Sequence, residues 1–391
     1  MNAALDARAE PPVLFEEHMA ANGRRIGFAT LNAPATLNGL SLAMARLLDA
    51  QLIAWAEDDD VALVVLQGAG EKAFCAGGDL HGLYAGMREH RERGGDDPLD
   101  NVYARDFFET EYRLDHRIHT YKKPILCWGH GIVMGGGIGL MAGASHRVVT
   151  ERSKLAFPEI TIGLYPDVGG SWLLHRVRQR AGLFLALTGA PLDAGDAIWA
   201  GLADYYVSQA QRDALYTALV ASEWAADPAA DAQRLTALID AHARVAPAGP
   251  LQTHAAASEG ICAHDDLDTI VGAFAAPGSD DAWWQAARKT LATGAPGSAR
   301  LAFELQRRAA SLTLAQTFRL EYIVSLRCAA YGDFAEGIRA LLIDKDRNPR
   351  WNPATLAAAT PAWAEPFFAA PWPATARHPL ADLGTASEQP A

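Results

Sequence analysis

GIVMGGGIGLMAGASHRVVTERSKLAFPEITIGLYPDVGG, residues 131–170, is the stretch that decides the fold. A triple glycine, Gly135-Gly136-Gly137, closes one apolar run and opens another. Pro158-Glu159 comes about twenty residues later, and Asp167 stands eight positions on, inside PDVGG. Glycine has no Cβ, so its backbone N–H can approach a ligand closely. A carboxylate near such a loop suggests chemistry on a carbonyl, with N–H donors taking the developing negative charge.

Working outward, a second glycine turn, Gly77-Gly78-Asp79, comes after the apolar AFCA. Either turn alone is explained by chain reversal. Two loops that each supply one donor, the amides of Gly78 and Gly136, would make an oxyanion hole. VLFEEH and RIGFATL around Ala21-Asn22-Gly23 predict a hairpin. A helix is expected from Ser41, as N-cap, to about Ala56. ALVVLQGAG (62–70) and KPILCWGHGIVM (123–134) predict buried strands, and FFETEYRLDHRIHTY (107–121) a helix. The charged, glycine-rich 86–101 predicts a mobile surface segment. Beyond residue 208 alanine rises and helical periods dominate, with two helices expected over Ser298–Tyr331. The expected organisation is an α/β core over 12–207, a mainly helical region over 208–365 and a loose Pro/Ala-rich tail over 366–391.

The totals narrow the function. The chain has 391 residues, half of them hydrophobic and 20% charged, which predicts a globular protein. A net charge of −12 argues against nucleic acid as a partner, and no apolar run is long enough to span a membrane. The first dozen residues lack an apolar h-region and predict a frayed start rather than a signal or transit peptide. Cys75, Cys127, Cys262 and Cys328 lie far apart with no CxxC spacing, so a reducing compartment, the cytoplasm, is expected. His116 and His119 share a helix, but no further ligand completes a metal set, so no metal is expected. Gly137, Gly139 and Ala142, with Glu159 beyond, outline a dinucleotide fingerprint. The acid of that fingerprint should end a second strand, whereas Glu159 stands in the loop-like AFPEIT.

Each candidate acid has a plain alternative. Glu159 could favour a helix N-terminus, Asp167 could cap a turn, and Glu111 could be a solvated helix charge.

The strings KAFCAGGDL, HGIVMGGGIGL, FPEITIGLYPDVGG and EGIRALLIDKDRNPRWNP (336–353) resemble the enoyl-CoA hydratase/isomerase (crotonase) superfamily, and within it the 3-hydroxyisobutyryl-CoA hydrolase branch. The resemblance covers roughly residues 25–355. It implies a crotonase-like spiral of ββα units with a helical C-terminal region. It implies a CoA thioester substrate, its oxygen held by the amides of Gly78 and Gly136, and no separate cofactor, CoA being part of the substrate. Two-carboxylate hydratases have a glutamate two residues after the triple glycine, where this chain has Gly139. Glu159 matches the superfamily's other catalytic glutamate and Asp167 the hydrolases' extra aspartate; Glu111 matches a substrate-contacting acid. The implied activity is hydrolysis of a short-chain β-hydroxyacyl-CoA thioester, above all 3-hydroxyisobutyryl-CoA in valine breakdown. The alternatives are an enoyl-CoA hydratase/isomerase and a non-catalytic interaction protein on the same scaffold. Related folds form trimers and hexamers, which leaves a homo-oligomer open. One departure stands out: members commonly have a lysine at the position of Ala35 that helps hold CoA.

Overall fold

A computed structural model describes residues 10–275 and 279–384. The expected N-terminal fraying falls mainly on residues 1–9, outside those described. The hairpin forms as read: β1 (Val13–Met19) pairs antiparallel with β2 (Arg25–Leu31). Helix α1 (Leu42–Glu57) starts where Ser41 accepts a hydrogen bond from the Met44 amide. From there the chain repeats a pattern. A long strand is succeeded by a short one, then by a helix or turn: β3 (Val61–Gly68) with β4 (Ala73–Cys75), β5 (Ile125–Gly129) with β6 (Ile132–Met134), and β7 (His146–Val149) with β8 (Lys154–Ala156). The long strands and β9 (Tyr205–Tyr206) form one sheet, ordered β1-β2-β3-β5-β7-β9 and parallel from β2 onward. The short strands form a second parallel sheet, β4-β6-β8. This is the expected α/β spiral of ββα units.

The alternation of β3 shows why the sheet is buried on both faces. Val64 and Leu66 enter the main core, while Leu63 and Val65 enter a second cluster with Trp128, Leu215, Leu219, Trp224 and Ile239. Period-two alternation sends neighbours to opposite faces. A strand apolar at every position therefore needs cover on both.

Helix α2 (Leu80–Glu92) begins behind Asp79, and α3 (Val102–His119) behind Asn101. Residues 86–92, expected as part of a mobile segment, continue α2. Met87 and His90 are buried there, and the i,i+4 pairs Arg88–Glu92 and Arg93–Glu89 support the exposed face. The charge density is that of a helix surface rather than of a loop. Helix α4 (Gly136–Ala142) comes directly after β6, and α5 (Gly170–His175) directly after PDVG. After β9 the described chain is mainly helical. Helices Pro296–Ala309 and Leu314–Tyr331 appear with the expected short break.

The expected loose tail needs correcting for residues 366–384. Phe367 and Leu380 are buried, Trp372 packs on Tyr322, and Arg113 bridges to Asp382 at 2.8 Å. A few large apolar side chains anchor a segment whose average composition is that of a linker. Among the described residues no helix is long and apolar enough to cross a membrane.

Candidate active site

The three-stranded sheet builds the site. In a parallel sheet the chain leaves every strand at the same edge, and ligands gather outside the carboxyl ends. β4 pairs with β6 (Cys75↔Val133) and β6 with β8 (Met134↔Ala156). The turns at the ends of these strands therefore emerge side by side: Gly77-Gly78, then Gly135-Gly136, then Pro158-Glu159. Segments some twenty to sixty residues apart in sequence become spatial neighbours by register alone.

The two amides are free to act. Gly78 forms a parallel bridge with Leu40, in which its flanking residues make the bonds: Leu40 N to Gly77 O at 2.8 Å and Asp79 N to Leu40 O at 2.9 Å. Its own N–H faces the other way. Gly136 is the first residue of α4, where an amide has no partner within the helix. A Cβ built on Gly136 would stand 3.4 Å from the Gly78 nitrogen, so the two amides are close neighbours.

Around that spot lie the acids. A cavity of about 80 Å³ is lined by Gly78, Phe107, Glu111, Gly136, Glu159 and Asp167, among others. It is small, with room for a few waters or a small group. A larger cleft of about 390 Å³, beside Leu174, Arg180 and Phe303, shares no residue with it. All the acids and amides named from sequence thus meet at one cavity. The plain reading of Glu111 as a solvated helix charge does not hold, because it is buried; Glu159 does open a short 3-10 helix (Glu159–Ile162), but it and Asp167 are buried at the cavity as well.

Burial sets their proton affinity. It pushes Glu159 well above the usual carboxylate range, and the charge of Asp167 adds to this. Glu111 is raised well above its ordinary value by burial and then by Asp115, Asp167 and Glu159. Asp167 is raised by burial to about 6, held down by the Tyr112 hydroxyl, which donates to Oδ2 at 2.7 Å. Both carboxyls therefore hold their protons more tightly than an exposed glutamate does.

Sequence reasoning missed the residues that hold Asp167. The Leu314–Tyr331 helix places Glu321 and Ser325 one turn apart. Glu321 accepts from the amides of Gly169 (2.7 Å) and Ser171 (3.0 Å), and Ser325 bonds the hydroxyls of Tyr112 (2.7 Å) and Tyr165 (2.8 Å). These clamps fix the PDVGG turn, in which Val168 takes a left-handed φ of 54°, unfavourable for a β-branched residue. Glu321→Gln is expected to release one of the two amides. It should lower kcat by about tenfold with KM little changed, and reduce stability by about 1–3 kcal/mol. Steady-state kinetics beside a denaturant curve checks this; unaltered kcat would mean that the clamp does not position Asp167.

The structure also disposes of the dinucleotide outline. Gly137 packs against the Cys75 carbonyl, and a Cβ on Gly139 would stand 2.7 Å from Asp115 Oδ2 and 2.8 Å from Val168 Cβ. These glycines seat protein groups rather than a pyrophosphate. His119 is a half-buried ring against Trp172, its pKa lowered by burial to about 3.

Comparison with known proteins fits this geometry. The family model for enoyl-CoA hydratase/isomerase matches residues 26–368. The chain belongs to the enoyl-CoA hydratase/isomerase family. Among curated relatives in this family, the 3-hydroxyisobutyryl-CoA hydrolase of Danio rerio is 36% identical over 366 residues, covering 93% of this chain and 91% of its own. The Homo sapiens protein of the same name is 33% identical, covering 84% and 82%. A crystal structure of a carnitinyl-CoA dehydratase from Mycobacterium thermoresistibile superposes with a TM-score of 0.79 at 38% identity, covering 92% of this chain and 96% of that one. An enoyl-CoA hydratase from Rhodobacter sphaeroides gives 0.79 at 36%, covering 92% and 97%. The expected cytoplasmic location does not stand, because the curated hydrolases are named as mitochondrial proteins. Widely spaced free cysteines report a reducing environment, which is not unique to the cytoplasm.

Proposed function

We propose that this chain hydrolyses 3-hydroxyisobutyryl-CoA to 3-hydroxyisobutyrate and CoA, a step of valine breakdown. The observation that carries the reading is Glu159 lining one cavity with the neighbouring amides of Gly78 and Gly136, with position 139 closed to a hydratase-type second acid by Asp115 and Val168. The thioester oxygen sits between the Gly78 and Gly136 amides, whose preorganised donors stabilise the tetrahedral oxyanion. Ionised Glu159 attacks the carbonyl carbon or takes a proton from the water that does. Glu111 and Asp167 orient the acyl group through its β-hydroxyl. A site that hydrogen-bonds a hydroxyl rejects acyl groups lacking one, since its buried polar groups would be left unpaired. CoA enters as part of the substrate and no separate cofactor takes part.

A hydratase reading draws on the names of the two crystal structures. A substrate panel separates the two. Purified protein is expected to release free thiol from 3-hydroxyisobutyryl-CoA at least about a hundredfold faster than from isobutyryl-CoA, and to leave the enoyl absorbance of crotonyl-CoA unchanged. Loss of that absorbance without thiol release would sink the hydrolase assignment.

A further inference from the structure

Helix α3 lays one face along the glycine turns. Tyr103, Phe107 and Glu111 stand at i, i+4 and i+8 on it, the spacing that keeps side chains on one side of a helix. A Cβ on Gly78 would stand 3.0 Å from Phe107 Cζ, and one on Gly136 would run into Glu111 Oε1. The two glycines whose amides are assigned to the oxyanion are therefore flanked by side chains of opposite character. An apolar ring lies against Gly78 and a carboxyl against Gly136, set about 6 Å apart along the axis of α3.

The ring is held in place. Phe107 is buried, Tyr103 stacks on it with 6.3 Å between ring centroids, and Phe108 meets it edge-on at 5.7 Å. Tyr103 is anchored in turn: its hydroxyl donates to Asp79 Oδ2 at 3.4 Å, and its Cβ would lie 2.9 Å from a Cβ on Gly86 of α2. Phe107 cannot swing aside without displacing these neighbours, because a packed interior has few voids to move into. It is a wall of set depth in a cavity of only about 80 Å³.

We propose that Phe107 is a specificity-determining residue that meets the alkyl substituent on Cα of the acyl group and sets how large it can be. The proposal rests on the hydrolase reading. With the thioester oxygen at the two amides, the groups on Cα diverge beneath α3. The hydroxymethyl goes to Glu111, whose buried Oε1 has no hydrogen-bond partner among the described residues. The methyl is left to face the Phe107 ring, where its burial is favourable. A longer substituent has to force a close-packed aromatic side chain off its site, which is costly.

Thiol release is compared for 3-hydroxyisobutyryl-CoA and 2-(hydroxymethyl)pentanoyl-CoA, which keeps the hydroxymethyl but carries propyl in place of methyl. The parent is expected to favour the methyl substrate by at least about tenfold in kcat/KM. Phe107→Ala is expected to cut that preference by about tenfold or more. Phe107→Leu, which keeps an apolar side chain should the alanine variant fold poorly, is expected to cut it by at least about threefold. A preference that is absent from the parent, or unchanged in the variants, overturns the proposal. The two matching thioethers, which lack the carbonyl and cannot be hydrolysed, are titrated by calorimetry alongside. The same loss of preference in their affinities, in a protein that releases no thiol, would support the size limit and overturn the hydrolase reading alone.

Discussion

Glu159→Gln is expected to lower thiol release from 3-hydroxyisobutyryl-CoA by about 10³-fold or more, with substrate binding retained. The amide keeps the size of the side chain and its place beside Gly135, but it can neither attack the thioester carbon nor take a proton from water. The two oxyanion amides remain, so a residual rate above background is expected. Thiol detection at saturating substrate, with KM measured alongside, checks this. A variant with undiminished kcat would remove Glu159 from the mechanism.

The same substitution carries a stability signature. Burial and Asp167 raise the proton affinity of Glu159 in the folded chain above its unfolded value. Between those two values the folded state holds a proton that the unfolded state has lost, so stability falls as pH rises through the window. Above the window the full penalty of a buried charge is present. Glutamine has no such penalty, so the variant is expected to melt higher than the parent near neutral pH, by an amount that shrinks as the pH is lowered towards about 4. Lost activity combined with a raised melting temperature distinguishes a removed catalytic group from a damaged fold.

How far the site could be read from the chain depends on what each residue answers to. The glycine loops and Glu159 were legible because they come directly after strands, and strand order in a parallel sheet fixes which loop lies beside which. Asp167 was legible within PDVGG, but its Tyr112 donor was not, because a tyrosine on an amphipathic helix looks like any core residue. Glu321 and Ser325 lie some 150 residues or more after the turn they hold, in a helix whose pattern is otherwise that of a buried stripe. Only tertiary packing assigns them. Asp115 left a weak signal, an acid at i+4 from Glu111, which became meaningful only with Gly139 opposite it. The tail was misread for the opposite reason: composition averages over a segment, whereas a single Leu380 or Phe367 is enough to dock it.

The second large effect is expected at Gly136, and it separates chemistry from folding most cleanly among the glycines. Gly136 has ordinary helical backbone as the first residue of α4, so alanine can adopt its conformation and gains up to about 1 kcal/mol of helix propensity. The added methyl would nevertheless run into Glu111 Oε1 and lie 3.4 Å from the Gly78 nitrogen, in the space proposed for the thioester oxygen. Either Glu111 swings away or the oxygen is excluded from the hole. Gly136→Ala is therefore expected to lower kcat/KM by about 10²–10³-fold, the scale of losing one oxyanion donor, with a melting temperature equal to or above the parent's. Gly137→Ala is the control: its methyl would collide with the Cys75 carbonyl inside the sheet, so that variant should lose stability as well as activity. A Gly136→Ala enzyme within about tenfold of the parent would place the carbonyl oxygen somewhere other than between these two amides.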